Sequence, residues 1–101
     1  MDFKFATGKL RRLYTEEAGA HKYPPEVVDA FFKVVEIIAG AKDERDLRKR
    51  KGRHFEKLKG DRKHQCSMRL SGGYRLVFEL VSEGSAGKCV RIIGIEDYHK
   101  G

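Results

Sequence analysis

A chain of 101 residues and 11.6 kDa is long enough for one compact domain and too short for two. Its 22 Lys and Arg against 15 Asp and Glu give a net charge of +7 and a pI near 9.6. Apolar residues at 40% exclude a disordered tail, no apolar run approaches the roughly 18 residues of a membrane span, and two cysteines do not make a disulfide framework. The chain opens on charged residues rather than on a signal-peptide core. The expectation is one basic, soluble, cytoplasmic domain over residues 1–101.

Phe3, Lys4 and Phe5 alternate apolar and basic, as a short strand does. Thr7 can cap a helix that puts Leu10, Leu13 and Tyr14 on one face and stops at Gly19. After Pro24 and Pro25, polar Glu26, Asp29, Lys33 and Glu36 recur at steps of three, four and three among Val27, Val28, Phe31, Phe32, Val34, Val35, Ile37 and Ile38. That is a narrow wet stripe on a mostly buried helix ended by Gly40. A third short helix is predicted over Asp43–Lys51, capped by Asp43 and ended by Gly52, with Leu47 inward and Glu44 spaced to pair with Arg48.

From residue 66 the period changes to two. Cys66–Leu70 reads as a strand with Met68 and Leu70 on one face and Ser67 and Arg69 on the other. Gly72 and Gly73 are expected to supply the positive φ angles of a hairpin turn. Tyr74–Val81 returns with Leu76, Phe78 and Leu80 inward and Arg75, Val77 and Glu79 outward. A Gly/Ser loop over 82–88 leads to a third strand, Cys89–Glu96. Helices first and an antiparallel meander second make an α+β domain.

The charge is not evenly spread. Residues 42–69 hold twelve Lys and Arg against five acids, so the whole excess of +7 lies in that window. Such a footprint suits phosphates, although a solvated face or an acidic protein partner would look the same. Gly84–Cys89 lacks the first glycine, the Ser or Thr and the following helix of a phosphate-binding loop. His64, Cys66, Cys89 and His99 lack the spacing that sets two zinc ligands on one turn, so no metal and no cofactor are expected. His21 and His54 show no partner in the sequence and read as surface histidines. At the C-terminus, Glu96-Asp97-Tyr98-His99 sets a carboxylate two residues from an imidazole. In an extended chain Asp97 and His99 share a side, and a neighbouring carboxylate raises and orients a histidine that titrates near neutrality.

Leu58-Lys59-Gly60-Asp61-Arg62, Ser67-Met68-Arg69-Leu70, Tyr74-Arg75-Leu76-Val77-Phe78 and Glu96-Asp97-Tyr98-His99 occur in that order. Together they resemble the HigB toxins, plasmid-maintenance killer proteins of the RelE/ParE superfamily, with a good match over about residues 55–99. Phe5-Ala6-Thr7-Gly8-Lys9 is a weaker match to the same group. The resemblance implies a RelE-like fold, N-terminal helices packed on a small twisted antiparallel sheet. It also implies a toxin of a type II toxin–antitoxin system that cuts mRNA on the ribosome, inhibits translation and arrests growth. The implied partners are a HigA-type helix-turn-helix antitoxin, the ribosome and mRNA, with operator DNA met only through the antitoxin complex. Carried over by motif, Lys59, Arg75, Asp97, Tyr98 and His99 are the candidate catalytic residues. Several nuclease members have histidine where this chain has Glu56; His54 stands two positions earlier, and both are accessory candidates.

Cleaving RNA without a metal needs a base for the 2′-OH, an acid for the leaving 5′-oxygen and cations for the phosphate. Arg75 and Lys59 suit the last task, His99 the proton transfers, Asp97 the orientation of His99 or the second acid–base role, and Tyr98 stacking on a base. Arg48, Lys49, Arg50, Lys51, Arg53, Lys57, Arg62, Lys63 and Arg69 are the candidate ribosome or RNA contacts. The competing readings are a non-enzymatic, ParE-like toxin that binds a protein such as gyrase, and a degenerate member active only as antitoxin-bound co-repressor.

Overall fold

The computed structural model describes residues 1–82 and 88–98. Of the loop expected over 82–88, Ser82 and Lys88 pair as strand residues, while 83–87 and the candidate His99 lie outside the described residues. In chain order the elements are β1 (Asp2–Phe5), α1 (Gly8–Glu16), α2 (Pro25–Gly40), α3 (Glu44–Arg48), β2 (Glu56–Lys57), β3 (Gln65–Arg69), β4 (Tyr74–Ser82) and β5 (Lys88–Asp97). Short 3₁₀ turns at Ala20–Lys22, Lys51–Arg53 and Gly60–Arg62 join them.

Thr7 caps α1 as expected, its hydroxyl accepting from the Leu10 N–H at 3.3 Å. The helix ends sooner than Gly19, because Glu17 takes the left-handed conformation (φ 54°), its N–H donating to the Leu13 carbonyl and the Ala18 N–H to the Arg12 carbonyl. α2 runs from Pro25, a proline in the first turn where no N–H is missed. It buries Val27, Val28, Ala30, Phe31, Val34, Val35 and Ile38 and leaves Glu26, Asp29, Lys33 and Glu36 in water. Asp43 caps α3 through the Arg45 N–H, but α3 stops at Arg48 rather than Lys51. Leu47 is its only buried residue, and the cations that follow have nothing to bury, so the chain leaves the helix for a 3₁₀ turn.

The sheet has five strands in the order β1-β5-β4-β3-β2. β2–β3, β3–β4 and β4–β5 are antiparallel. The edge strand β1 lies parallel to β5, Phe3 opposite Val90 and Phe5 opposite Ile92, so the sheet is mixed rather than wholly antiparallel. No hairpin constrains the direction of β1; its two phenylalanines must face the helices. There they meet Tyr14 (Phe3 at 6.0 Å, Phe5 at 5.5 Å between ring centres) and Phe31 (Phe5 at 6.4 Å). At the β3–β4 turn only Gly72 carries positive φ (58°); Gly73 does not need it.

The helix-facing side of the sheet carries Cys66, Met68, Leu70, Leu76, Phe78, Val90 and Ile92, all buried against α1, α2 and Leu47. Between Val77 and Phe78 the β5 partner jumps from Gly94 to Ile92, so Ile93 is the extra residue of a bulge. Val77 points to the opposite side, yet it is as completely buried as its neighbours (0% exposed).

Phe31 is wholly buried and sits against Phe5, Tyr14 and Phe32. Phe31→Ala is expected to cost about 3–5 kcal/mol by urea unfolding. Asp29→Ala, on the wet stripe of the same helix, should change stability by less than about 0.5 kcal/mol.

Candidate nucleic-acid interface

Strand alternation gives the sheet a second, outer face turned away from the helices. Its register sets Gln65, Ser67 and Arg69 of β3 beside Glu79, Val77 and Arg75 of β4. These in turn stand beside Arg91, Gly94 and Glu96 of β5. Glu56 lies opposite Ser67 on the free edge of β3.

Arg75 is the best-fixed cation there, its side chain 13% exposed. Its Nε donates to Ser67 Oγ at 2.8 Å and its Nη2 to the Ser67 carbonyl at 3.4 Å. Nη2 also donates to the His54 carbonyl. His54 adopts a left-handed conformation (φ 45°, ψ 61°), uncommon for a residue with a Cβ, and that conformation accompanies the turn of its carbonyl onto Arg75. The Glu56 carboxylate stands 3.7 Å from the same Nη2. The side-on fork of Arg75 is therefore occupied by the protein, and what it presents to the face is an immobile positive charge.

Arg62 is the second arginine laid over this face. It donates through Nε to Gln65 Oε1 (2.9 Å) and through Nη1 and Nη2 to the Glu96 carboxylate (3.1 and 2.6 Å). The hydrogen bond to Glu96, opposed by desolvation and helped by the Tyr98 phenol, holds the Arg62 pKa above its ordinary value. Tyr98 is 43% exposed and its N–H donates to the Gly73 carbonyl at 2.7 Å. Asp97 pairs in register with Tyr74, a residue that packs on the helix-side core. Alternation therefore sets Asp97 on the side opposite Glu96. Lys59 is exposed just beyond β2, at the entry to the Gly60–Arg62 turn. Beside Glu96, Gly94 leaves open space, since a Cβ there would meet nothing within 4 Å.

The rest of the basic stretch divides by environment. Arg48 donates to Glu44 through Nε (2.9 Å) and Nη2 (2.7 Å) and lies 4.6 Å from the centre of the Phe55 ring. Lys57 reaches Glu44 at 3.8 Å, and Lys49 reaches Asp46 at 3.9 Å. Arg53 holds the end of β3 through the Leu70 (2.9 Å) and Arg69 (3.3 Å) carbonyls. Arg50, Lys51, Lys63 and Arg69 are exposed and face no carboxylate at ion-pair distance among the described residues. Lys49, Arg50, Lys51 and Arg53 also line an open cleft of about 780 Å³ on the helix side with Lys33 and Ile37 of α2. Sequence reading left Lys33 in a solvated stripe, and it passed over Ser67, Gln65 and Glu96 as partners of arginines. Only the small hydroxyl at Ser67 and the acid preceding Asp97 gave a signal for them.

Cys66 and Cys89 are buried and form no disulfide, and burial raises the Cys66 pKa, which makes that thiol inert rather than nucleophilic. Among the described residues, no group of three or more His, Cys, Asp or Glu could hold a metal ion, and no helix is long and apolar enough to cross a membrane.

The sequence matches the family of HigB-like toxins, RelE-like toxins of type II toxin–antitoxin systems, over residues 3–90. It is 35% identical over 81 residues to Toxin HigB-1 of Vibrio cholerae, covering 80% of this chain and 85% of that one. Its fold is similar to that of a solved YoeB/ParE toxin from Agrobacterium tumefaciens, with a TM-score of 0.58 at 14% identity over 98% of this chain and all of the other.

Glu44 gives the basic surface a pH signature. The Arg48 hydrogen bond, opposed by partial burial and reinforced by Lys57 and Lys88, holds its carboxyl below the ordinary 4.5. A depressed carboxylate contributes stability that is fully present above that value and is lost as pH falls through the lower folded one. Glu44→Gln should therefore be less stable than the wild type in urea at pH 7, and the gap should close progressively below pH 4.5.

Proposed function

Because the chain belongs to the HigB-like toxin family and is thus a toxin of a type II toxin–antitoxin system, we propose that it inhibits translation as an endoribonuclease. In this reading it cuts mRNA on the ribosome without a metal, in the cytoplasm, and a HigA-type antitoxin neutralises it. The outer sheet face is the cleavage face. The observation that carries the reading is Arg75: a guanidinium 13% exposed, locked by Ser67 and the His54 carbonyl, on a face edged by the exposed Lys59 and Arg69. A charge fixed before the substrate arrives needs no reorganisation when the transition state forms, which is what stabilisation of a pentacoordinate phosphate requires.

In the proposed reaction a base removes the 2′-OH proton and the 2′-oxygen attacks the adjacent phosphorus. The bond from phosphorus to the 5′-oxygen breaks, and an acid returns a proton to that oxygen, leaving a 2′,3′-cyclic phosphate and a 5′-hydroxyl. His99 is the proposed proton carrier; Asp97, which alternation sets on the side of β5 away from the cleavage face, has no proposed part in the step. Glu56, the carboxylate on the outer face nearest Arg75, is the accessory acid–base group standing where several relatives have histidine. Lys59 adds charge at the edge, and Tyr98, with 43% of its surface free, is a stacking platform for a base. The helix-side cleft supplies contacts to ribosomal RNA, with Lys33 added to the exposed members of the basic stretch. Operator DNA is met only through the antitoxin complex, and no cofactor takes part.

Expression of wild type, Arg75→Ala and His99→Ala in bacteria, with mRNA 5′ ends mapped, tests the reading. New cuts inside translated frames that each variant reduces by about 10²-fold or more would support it. Growth arrest with mRNA intact would sink it and point to a protein target such as gyrase; neither arrest nor cuts would leave a co-repressor role. For the cleft, each of Lys33→Ala and Arg50→Ala should lower the slope of log affinity for ribosomes against log salt by roughly 0.7–0.9.

A further inference from the structure

Arg62 lies in the basic stretch that a phosphate would be expected to meet, yet its guanidinium is already engaged on three nitrogens. Gln65 Oε1 takes Nε at 2.9 Å, and the two Glu96 oxygens take Nη1 and Nη2 at 3.1 and 2.6 Å. Gln65 stands on β3 and Glu96 on β5, with β4 between them, and their registers on β4 are Glu79 and Arg75. The point midway between those two is Val77. A guanidinium that bridges Gln65 and Glu96 must pass over it, and Val77 is wholly buried although it faces away from the helices.

The contact joins residues 34 positions apart and closes the Gly60–Arg62 turn down on the sheet. Its far end is Glu96, two residues before Tyr98, whose backbone is pinned to the Gly73 carbonyl at 2.7 Å. Alternation sets the Tyr98 side chain on the face that Glu96 shares, and the phenol helps to hold the Arg62 pKa up. If Arg62 moved to a phosphate, it would leave the Glu96 carboxylate unpaired beside an incoming polyanion. Planar, bidentate pairing fixes direction as well as distance.

We infer that Arg62 and Glu96 form a clamp that positions Tyr98 on the outer sheet face, and that Arg62 acts through this pair rather than by gripping RNA. The kinetic consequence rests on the reading of that face as the cleavage face; the positional one does not. Arg62 and Glu96 are positioning residues, because neither touches the reacting atoms.

Two measurements test the clamp. The chain has no tryptophan, so Tyr98→Trp places a single fluorophore at the clamped position. Its anisotropy should be high with Arg62 and Glu96 intact, fall when Glu96→Ala is added, and take an intermediate value with Glu96→Gln, which keeps the shape and one acceptor. The exchange Arg62→Glu with Glu96→Arg should restore part of the loss. Unchanged anisotropy in Glu96→Ala and in Arg62→Ala would overturn the clamp, whatever the activity of the protein.

In ribosome-dependent mRNA cleavage, Arg62→Ala should lower kcat roughly ten- to hundredfold with KM within about twofold of wild type. A raised KM with kcat kept, and a shallower salt dependence, would instead make Arg62 a phosphate contact and overturn the inference. If wild-type protein cuts no mRNA, the functional reading fails and the anisotropy series alone decides on the clamp.

Discussion

The central strand of this sheet is apolar on both sides, and only one side has helices to cover it. Leu76, Val77 and Phe78 are consecutive and all 0% exposed. Leu76 and Phe78 lie under the helix layer, as any half-buried strand requires, whereas Val77 faces the way the arginines face. The covering there is made by the stems and planar heads of Arg62 and Arg75, which lie along the sheet because Gln65, Ser67, Glu56 and Glu96 hold their nitrogens. Ser67 is buried with no exposure because it is the acceptor under Arg75. Long cationic side chains whose heads are bonded can shield apolar surface in this way.

From that requirement the outer face acquires its chemistry. A small domain with a formal charge of +7 would ordinarily let its cations swing freely in water. Here two of them are fixed by directional bonds to a rigid sheet, so the face offers oriented positive charge instead of a diffuse cloud. The same economy of partners thins the basic stretch elsewhere. Arg48 is turned back on Glu44 and Phe55, and Arg53 caps the end of β3 through its carbonyls. Exposed pairs of this kind add little stability. Their effect is on geometry, because they remove cations from one surface and leave Arg50, Lys51, Lys63, Lys59 and Arg69 to carry the field.

The helix-side cleft and the outer face lie on opposite layers of the domain, although cations lining both come from one segment. A macromolecule that grips the cleft through Lys33, Lys49 and Arg50 leaves the sheet face uncovered. Two separate faces on one 101-residue chain suit a protein that must be held by a large body while it works on another. The bulge at Ile93 and the bare Gly94 add a local recess to the sheet face.

The sequence by itself determined the helical layer and four of the five strands; the two-residue β2 (Glu56–Lys57) is too short and too polar to show a period. Steps of three and four among Glu26, Asp29, Lys33 and Glu36 can be satisfied only by a helix with its other sides buried, and the alternation from Cys66 to Leu80 only by strands. Family membership was legible too, in four short motifs in order. What only the tertiary structure decided was direction and partnership. β1 carries no hairpin to orient it, and the alternation of Phe3 and Phe5 marks a face but not a direction, so its parallel pairing with β5 left no sign in the sequence. Spacing could mark Arg62 and Arg75 as cations, but their partners Glu96 and His54 are 34 and 21 positions away. Hydrogen bonds across such distances are made by the register of the sheet and leave no period in the sequence. For the same reason Glu56 comes to face Arg75, whereas the opposite sides taken by Glu96 and Asp97 are the ordinary alternation of a strand.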